Sequence, residues 1–212
     1  MVNGRMAPAE IEKRSFEIIT EELGERTFAP GVSEVVKRVI HTTADFDYAD
    51  NLCFSVNAVE QAKKALSAGA TVVTDTNMAL AGISKATLAK LGGHALCLMA
   101  DEQVAHEAKA RGVTRATVSM EHAAKLDGPL IFAVGNAPTA LIRLHELIEE
   151  GAVQPALVIG VPVGFVNVVE AKELFIGGKT PYIIARGRKG GSNVAAAIVN
   201  ALLYQMVKRE GF

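Results

Sequence analysis

His41 closes the run Lys37-Arg38-Val39-Ile40-His41 and is followed by the polar residues Thr42-Thr43-Ala44-Asp45. An imidazole titrates near neutrality, so it can give and retrieve a proton at working pH. Arg38 stands three residues earlier. On a helix that spacing puts both side chains on one face, where a cation and a proton carrier reach the same bound group. A histidine in a last helical turn also gains from the helix dipole, and a surface cap is the commoner reason for a lone histidine there.

Four further segments carry usable chemistry, and each follows a short apolar run. Thr71 to Thr74 leads into Asp75-Thr76-Asn77, and Leu130 to Val134 into Gly135-Asn136-Ala137-Pro138. Ala156 to Gly160 leads into Val161-Pro162-Val163-Gly164-Phe165, and Tyr182 to Ala185 into Arg186-Gly187-Arg188-Lys189-Gly190-Gly191-Ser192. The last segment opens a helix, so its backbone N–H groups, the helix dipole and three cations favour an anion. A solvated loop capped by glycine is the alternative. Asn136 stands where it caps the next helix, with Pro138 near the first position. Asp75 reads as a helix cap, or as a site carboxylate if it faces the cleft.

Other chemistries lack their signatures. The glycine-rich loop is neither G-x-x-x-x-G-K-[ST] nor G-x-G-x-x-G, and the chain has no G-x-S-x-G and no H-E-x-x-H. His94, His106, His122 and His145 have no metal-ligand spacing and read as structural or exposed. Cys53 and Cys97 lie far apart in apolar stretches and read as buried thiols, which argues against a zinc site.

The elements that must position these residues follow from composition and period. The chain has 212 residues, half of them apolar, with ample glycine and alanine and no tryptophan. That suits one closely packed α/β domain, 1–212, without an internal linker or repeat. Helical spacing runs from Pro8 to Glu22 and from Val32 to about Ile40, and an alanine-rich helix runs from Ser192 to about Val207. Strands are expected at Leu52 to Ser55, Thr71 to Thr74, Ala95 to Met99, Leu130 to Val134, Ala156 to Ile159 and Tyr182 to Ala185. Their alternation with helices and their continuous apolar runs predict a three-layer αβα sandwich with a mainly parallel sheet and an N-terminal helical segment. Ligands of such sheets bind beyond the carboxyl ends of the strands. A net charge of −1 argues against non-specific nucleic-acid binding, and no run is apolar enough for a signal peptide or a membrane span. A cytoplasmic protein is expected.

Taken together, Arg14-Ser15-Phe16, Arg38-Val39-Ile40-His41, Thr74-Asp75-Thr76-Asn77-Met78, GNAPTAL (135–141), G-x-PVGFV (160–166) and Arg186 to Ser192 resemble the precorrin-8X methylmutase family. The family includes the cobalt-precorrin-8 enzymes. The likeness runs over nearly the whole chain. It implies an isomerase of cobalamin biosynthesis that shifts a methyl group from carbon 11 to carbon 12 of precorrin-8X or cobalt-precorrin-8, giving hydrogenobyrinate or cobyrinate. It implies no redox cofactor, with any cobalt arriving inside the substrate, and a homodimer with the macrocycle near the subunit interface.

The resemblance also makes His41 the proton donor and acceptor and puts Ser15 and Arg38 at the substrate. The substrate is an apolar ring bearing acetate and propionate groups, so its site needs dispersed cations and a flat floor. Arg38, Arg115, Arg186, Arg188 and Lys189 are the candidate carboxylate partners, and Met78, Val163 and Phe165 the floor. Thr42, Asp75 and Asn136 complete the expected substrate-binding set. Thr42 to Asp47 and Asp75 to Met78 resemble the cobalt-dependent branch. The rival readings are a tetrapyrrole carrier without turnover and an unrelated nucleotide-binding α/β enzyme.

Overall fold

A computed structural model describes residues 7–208. The chain begins with helices α1 (Pro8–Leu23), α2 (Val32–Thr43) and α3 (Tyr48–Asn51), followed by strand β1 (Leu52–Phe54) and α4 (Ala58–Ser67). Next come β2 (Thr71–Thr74), α5 (Asn77–Gly82), α6 (Lys85–Lys90), β3 (His94–Leu96), α7 (Glu102–Arg111) and α8 (Arg115–Ala123). The last third holds β4 (Leu130–Val134), α9 (Pro138–Glu149), β5 (Leu157–Gly160), α10 (Val168–Glu173), β6 (Tyr182–Ala185) and α11 (Ser192–Tyr204).

The six strands form one sheet in the order β1-β6-β5-β4-β2-β3. All neighbours are parallel except β1, which runs antiparallel along β6 with Cys53 opposite Ile184. In β4, Leu130, Phe132 and Val134 enter one apolar cluster with α8, α9 and α10, while Ile131 and Ala133 enter another with α2, α4 and α11. A strand's side chains alternate between faces, so this split sets one helical layer on each side of the sheet. The expected three-layer, mainly parallel sandwich is the observed one.

Several expectations need correction, among them the strand expected at Ala95 to Met99, which is His94–Leu96, and the last helix, which ends at Tyr204 rather than near Val207. Cys53 and Cys97 are free thiols but only partly buried, because β1 and the residues after β3 lie at the two edges of the sheet, where one flank lacks a neighbouring strand. The second helix continues to Thr43 rather than ending near Ile40. Within that last turn the hydroxyls of Thr42 and Thr43 donate to the carbonyls of Arg38 and Val39, which holds these polar residues in the helix. Among the described residues, no helix is long and apolar enough to cross a membrane.

Strand order reverses between β2 and β4, since β3 lies beyond β2 on one side while β4, β5 and β6 step away on the other. In parallel sheets the crevice beyond such a point is the usual ligand site. Helix α2 buries Val35, Val36, Val39 and Ile40 and packs antiparallel to α11. Its carboxyl end therefore reaches the start of α11, at the same edge of the sheet.

Candidate active site

At the reversal point the Asp75 carboxylate is wholly buried and accepts three consecutive backbone N–H groups, from Gly135 and Asn136 at 2.8 Å and Ala137 at 2.6 Å. Burial pushes its carboxyl above the ordinary value, against the opposing pull of those donors. Asp75 therefore exposes no surface to a cleft. It ties the end of β2 to the start of α9. The expected Asn136 cap is corrected too: Ala137 is the N-cap and carries no side-chain cap, and the Asn136 backbone N–H donates to Asp75. Pro138 opens α9 as expected.

The neighbouring strand ends are joined in the same manner. Thr76 and Ser192 share a 2.7 Å hydroxyl bond, the Gly191 N–H donates to the Val161 carbonyl at 2.8 Å, and the Gly164 N–H donates to that of Arg188 at 3.1 Å. The glycines permit this closeness. A Cβ on Gly190 would stand 2.1 Å from the Val161 oxygen, and one on Gly135 would stand 2.7 Å from that of Gly191.

The basic loop is charge-balanced rather than a bare cationic patch. Lys189 bridges Asp45 at 2.6 Å and Asp47 at 2.7 Å, and these contacts raise its pKa while lowering that of Asp45. Arg186 lies 3.4 Å from Glu173. The Arg188 guanidinium instead lies over the exposed Phe165 ring, 5.3 Å from its centre. Asp45 and Asp47 leave α2 through Ala44, whose left-handed backbone (φ 53°) costs about 1–2 kcal/mol in a residue with a Cβ. That turn carries the chain from His41 to the basic loop.

His41 is exposed and stacks on Phe16 of α1, with ring centres 5.1 Å apart and planes 13° from parallel. Stacking engages the face of the imidazole, while its proton chemistry lies in the ring plane. Arg38 also meets Phe16, 4.6 Å from the ring centre, and Tyr204 at 5.4 Å, and its guanidinium pairs with Glu12. The helical spacing did bring Arg38 and His41 to one face, with Phe16 as the group they share. A cavity of about 530 Å³ opens beside them, lined by Phe16, Lys37, Arg38, Tyr204 and Gln205.

The remaining candidates are dispersed. Thr42 faces the amino-terminal half of α11 across a smaller cavity with Asn193 and Ala197. Met78, Val163 and Phe165 are exposed, and the Ser15 hydroxyl is turned back to the Ile11 carbonyl at 2.9 Å. Arg115 opens α8 beside the start of α9, where Thr114 and Thr139 are hydrogen-bonded at 3.1 Å, and it lines a separate cavity with His106 and Lys109. Three other histidines have structural contacts: His122 with Glu107, His94 with Thr71, and His145 against the Phe175 ring. Among the described residues no three His, Cys, Asp or Glu side chains converge as a metal site.

The profile of the precorrin-8X methylmutase family matches residues 10–205. The chain belongs to the precorrin-8X methylmutase family. It is 46% identical over 207 residues to the cobalt-precorrin-8 methylmutase of Salmonella typhimurium, covering 94% of this chain and 96% of that protein. It is 45% identical over 195 residues to the enzyme of the same name from Priestia megaterium, covering 92% and 87% of the two chains. The crystal structure of precorrin-8X methylmutase from Thermus thermophilus superposes with a TM-score of 0.83 at 42% identity, over 91% of this chain and 95% of that one. The protein is accordingly an isomerase of cobalamin biosynthesis.

Several residues packed around these candidates escape a reading by motif. Glu12 and Tyr204 flank Arg38 from helices far away in sequence. Lys172 of α10 is fully buried, and its ammonium donates to the carbonyls of Gly187 and Lys189, both at 2.8 Å. Its signal was present in the sequence, because Val168, Ala171, Lys172 and Phe175 form an i, i+3, i+4, i+7 stripe. Only the charge disguised a buried position.

Proposed function

We propose that the enzyme moves a methyl group from carbon 11 to carbon 12 of the cobalt-precorrin-8 macrocycle, giving cobyrinate, with His41 as the proton carrier. The bond to carbon 11 breaks as that to carbon 12 forms, so the mass is unchanged. Protonating or hydrogen-bonding a ring nitrogen raises electron demand at the migration terminus, and the proton returns to His41 when the methyl group has moved. General acid–base action of this kind contributes about 10²–10⁴-fold. Holding the ring in a reactive shape supplies the remainder.

The observation that carries this reading is His41 held by its face on Phe16 at the carboxyl end of α2, next to the strand-end rim. Arg38, Arg115, Arg186, Arg188 and Lys189 are the carboxylate partners in this proposal, with Ser15, Thr42 and Asn136 as polar contacts and Met78, Val163 and Phe165 against the ring. The names of the Salmonella and Priestia relatives support the cobalt-bearing substrate. Cobalt then enters as part of the substrate, the protein supplying acid–base and binding groups, and the reaction takes place in the cytoplasm. We further propose a homodimer. Met78 after β2 and Phe165 and Val166 after β5 are exposed apolar side chains at strand ends, which a second copy would help to enclose.

Mixing the purified chain with cobalt-precorrin-8 tests the activity. A product of unchanged mass with a shifted visible spectrum is expected. Tight binding without spectral conversion would favour a carrier and contradict the proposal.

A further inference from the structure

Lys172 is a lysine with no exposed surface on an otherwise apolar stripe of α10. Among the described residues no carboxylate pairs with it. Burial lowers its pKa to about 8. A buried polar head is costly unless hydrogen bonds replace its water, and here two carbonyls of one loop do so. Those carbonyls, Gly187 and Lys189, flank Arg188, whose own carbonyl accepts the Gly164 N–H. Three successive carbonyls of the basic loop are therefore held, two of them by one side chain.

The held segment also aims two side chains. Arg188 projects over Phe165, and Lys189 reaches Asp45 and Asp47 in the chain leaving His41. We propose that Lys172 is a positioning residue that fixes the Gly187–Lys189 backbone, so that Arg188 and Lys189 meet substrate carboxylates in a preset arrangement. This inference rests on the strand ends being the substrate site. The loop's glycines would otherwise leave it many conformations, and ordering them at binding would weaken affinity.

The test is steady-state turnover of cobalt-precorrin-8 by full-length Lys172→Met and Arg188→Ala. Lys172→Met removes both donors with little change of shape and is expected to raise KM on the order of tenfold, with kcat within about threefold of wild type. Arg188→Ala is expected to raise KM as well. An unchanged KM in folded Lys172→Met beside a raised KM in Arg188→Ala would overturn the positioning role and leave the site reading intact. Unchanged KM in both would overturn both. If Lys172→Met does not fold, Lys172→Gln serves, because its shorter amide reaches one carbonyl at most; a KM raised about threefold supports the role and a wild-type KM overturns it.

Discussion

At the end of β2, Asp75 occupies three backbone N–H groups that an anion would otherwise use. An amide in its place presents an NH2 group to at least one of those donors. Asp75→Asn is therefore expected to destabilise the fold by roughly 2–4 kcal/mol. For a chain of this size that corresponds to a melting temperature lower by about 5–15 °C. An unchanged thermal melt would show that the 135–137 turn holds without the carboxylate. The sequence did reveal that Asp75 follows a strand, and both its roles were open there. The choice depended on β4 lying beside β2, a pairing between residues 60 apart that local spacing does not encode. His41 and Arg38 were more legible because three residues of helix suffice to relate them. Phe16 and Glu12, their partners on α1, were not, since that contact is made by helix packing.

Elements were legible where one physical signal dominated. The apolar runs 71–74, 130–134 and 182–185 are the observed β2, β4 and β6 without change. Both faces of these strands are covered, so burial leaves no alternation to misread. The edge strands were harder. β3 ends at Leu96 although apolar residues continue to Met99, because it pairs only with β2. The antiparallel direction of β1 was also hidden, since three residues between short helices say nothing of the partner's direction. The basic loop was recognised by its charge and glycines, whereas its closure depends on Lys172, on Gly164 and on two aspartates about 140 residues earlier. A loop described by composition as cationic is thus largely neutralised within the fold.

Across the whole molecule, the sheet gathers loops from four strand ends, and the α2–α11 pair brings His41 to the same edge. Met78, Phe165 and Val166, which follow the ends of β2 and β5, stay largely exposed in one chain even with Arg188 over the Phe165 ring, which is the basis for expecting a second copy. Sedimentation at micromolar concentration should give twice the 22.4 kDa chain mass, and a monomer there would contradict the proposed assembly. The central claim is that this assembled rim binds the macrocycle and that a single imidazole carries the proton. Single-turnover conversion of cobalt-precorrin-8 by wild type and His41→Ala, with binding followed in the same samples, addresses it most directly. The account predicts affinity within about threefold and conversion slowed by about 10²–10⁴-fold in the variant. Conversion by His41→Ala at close to the wild-type rate would contradict it.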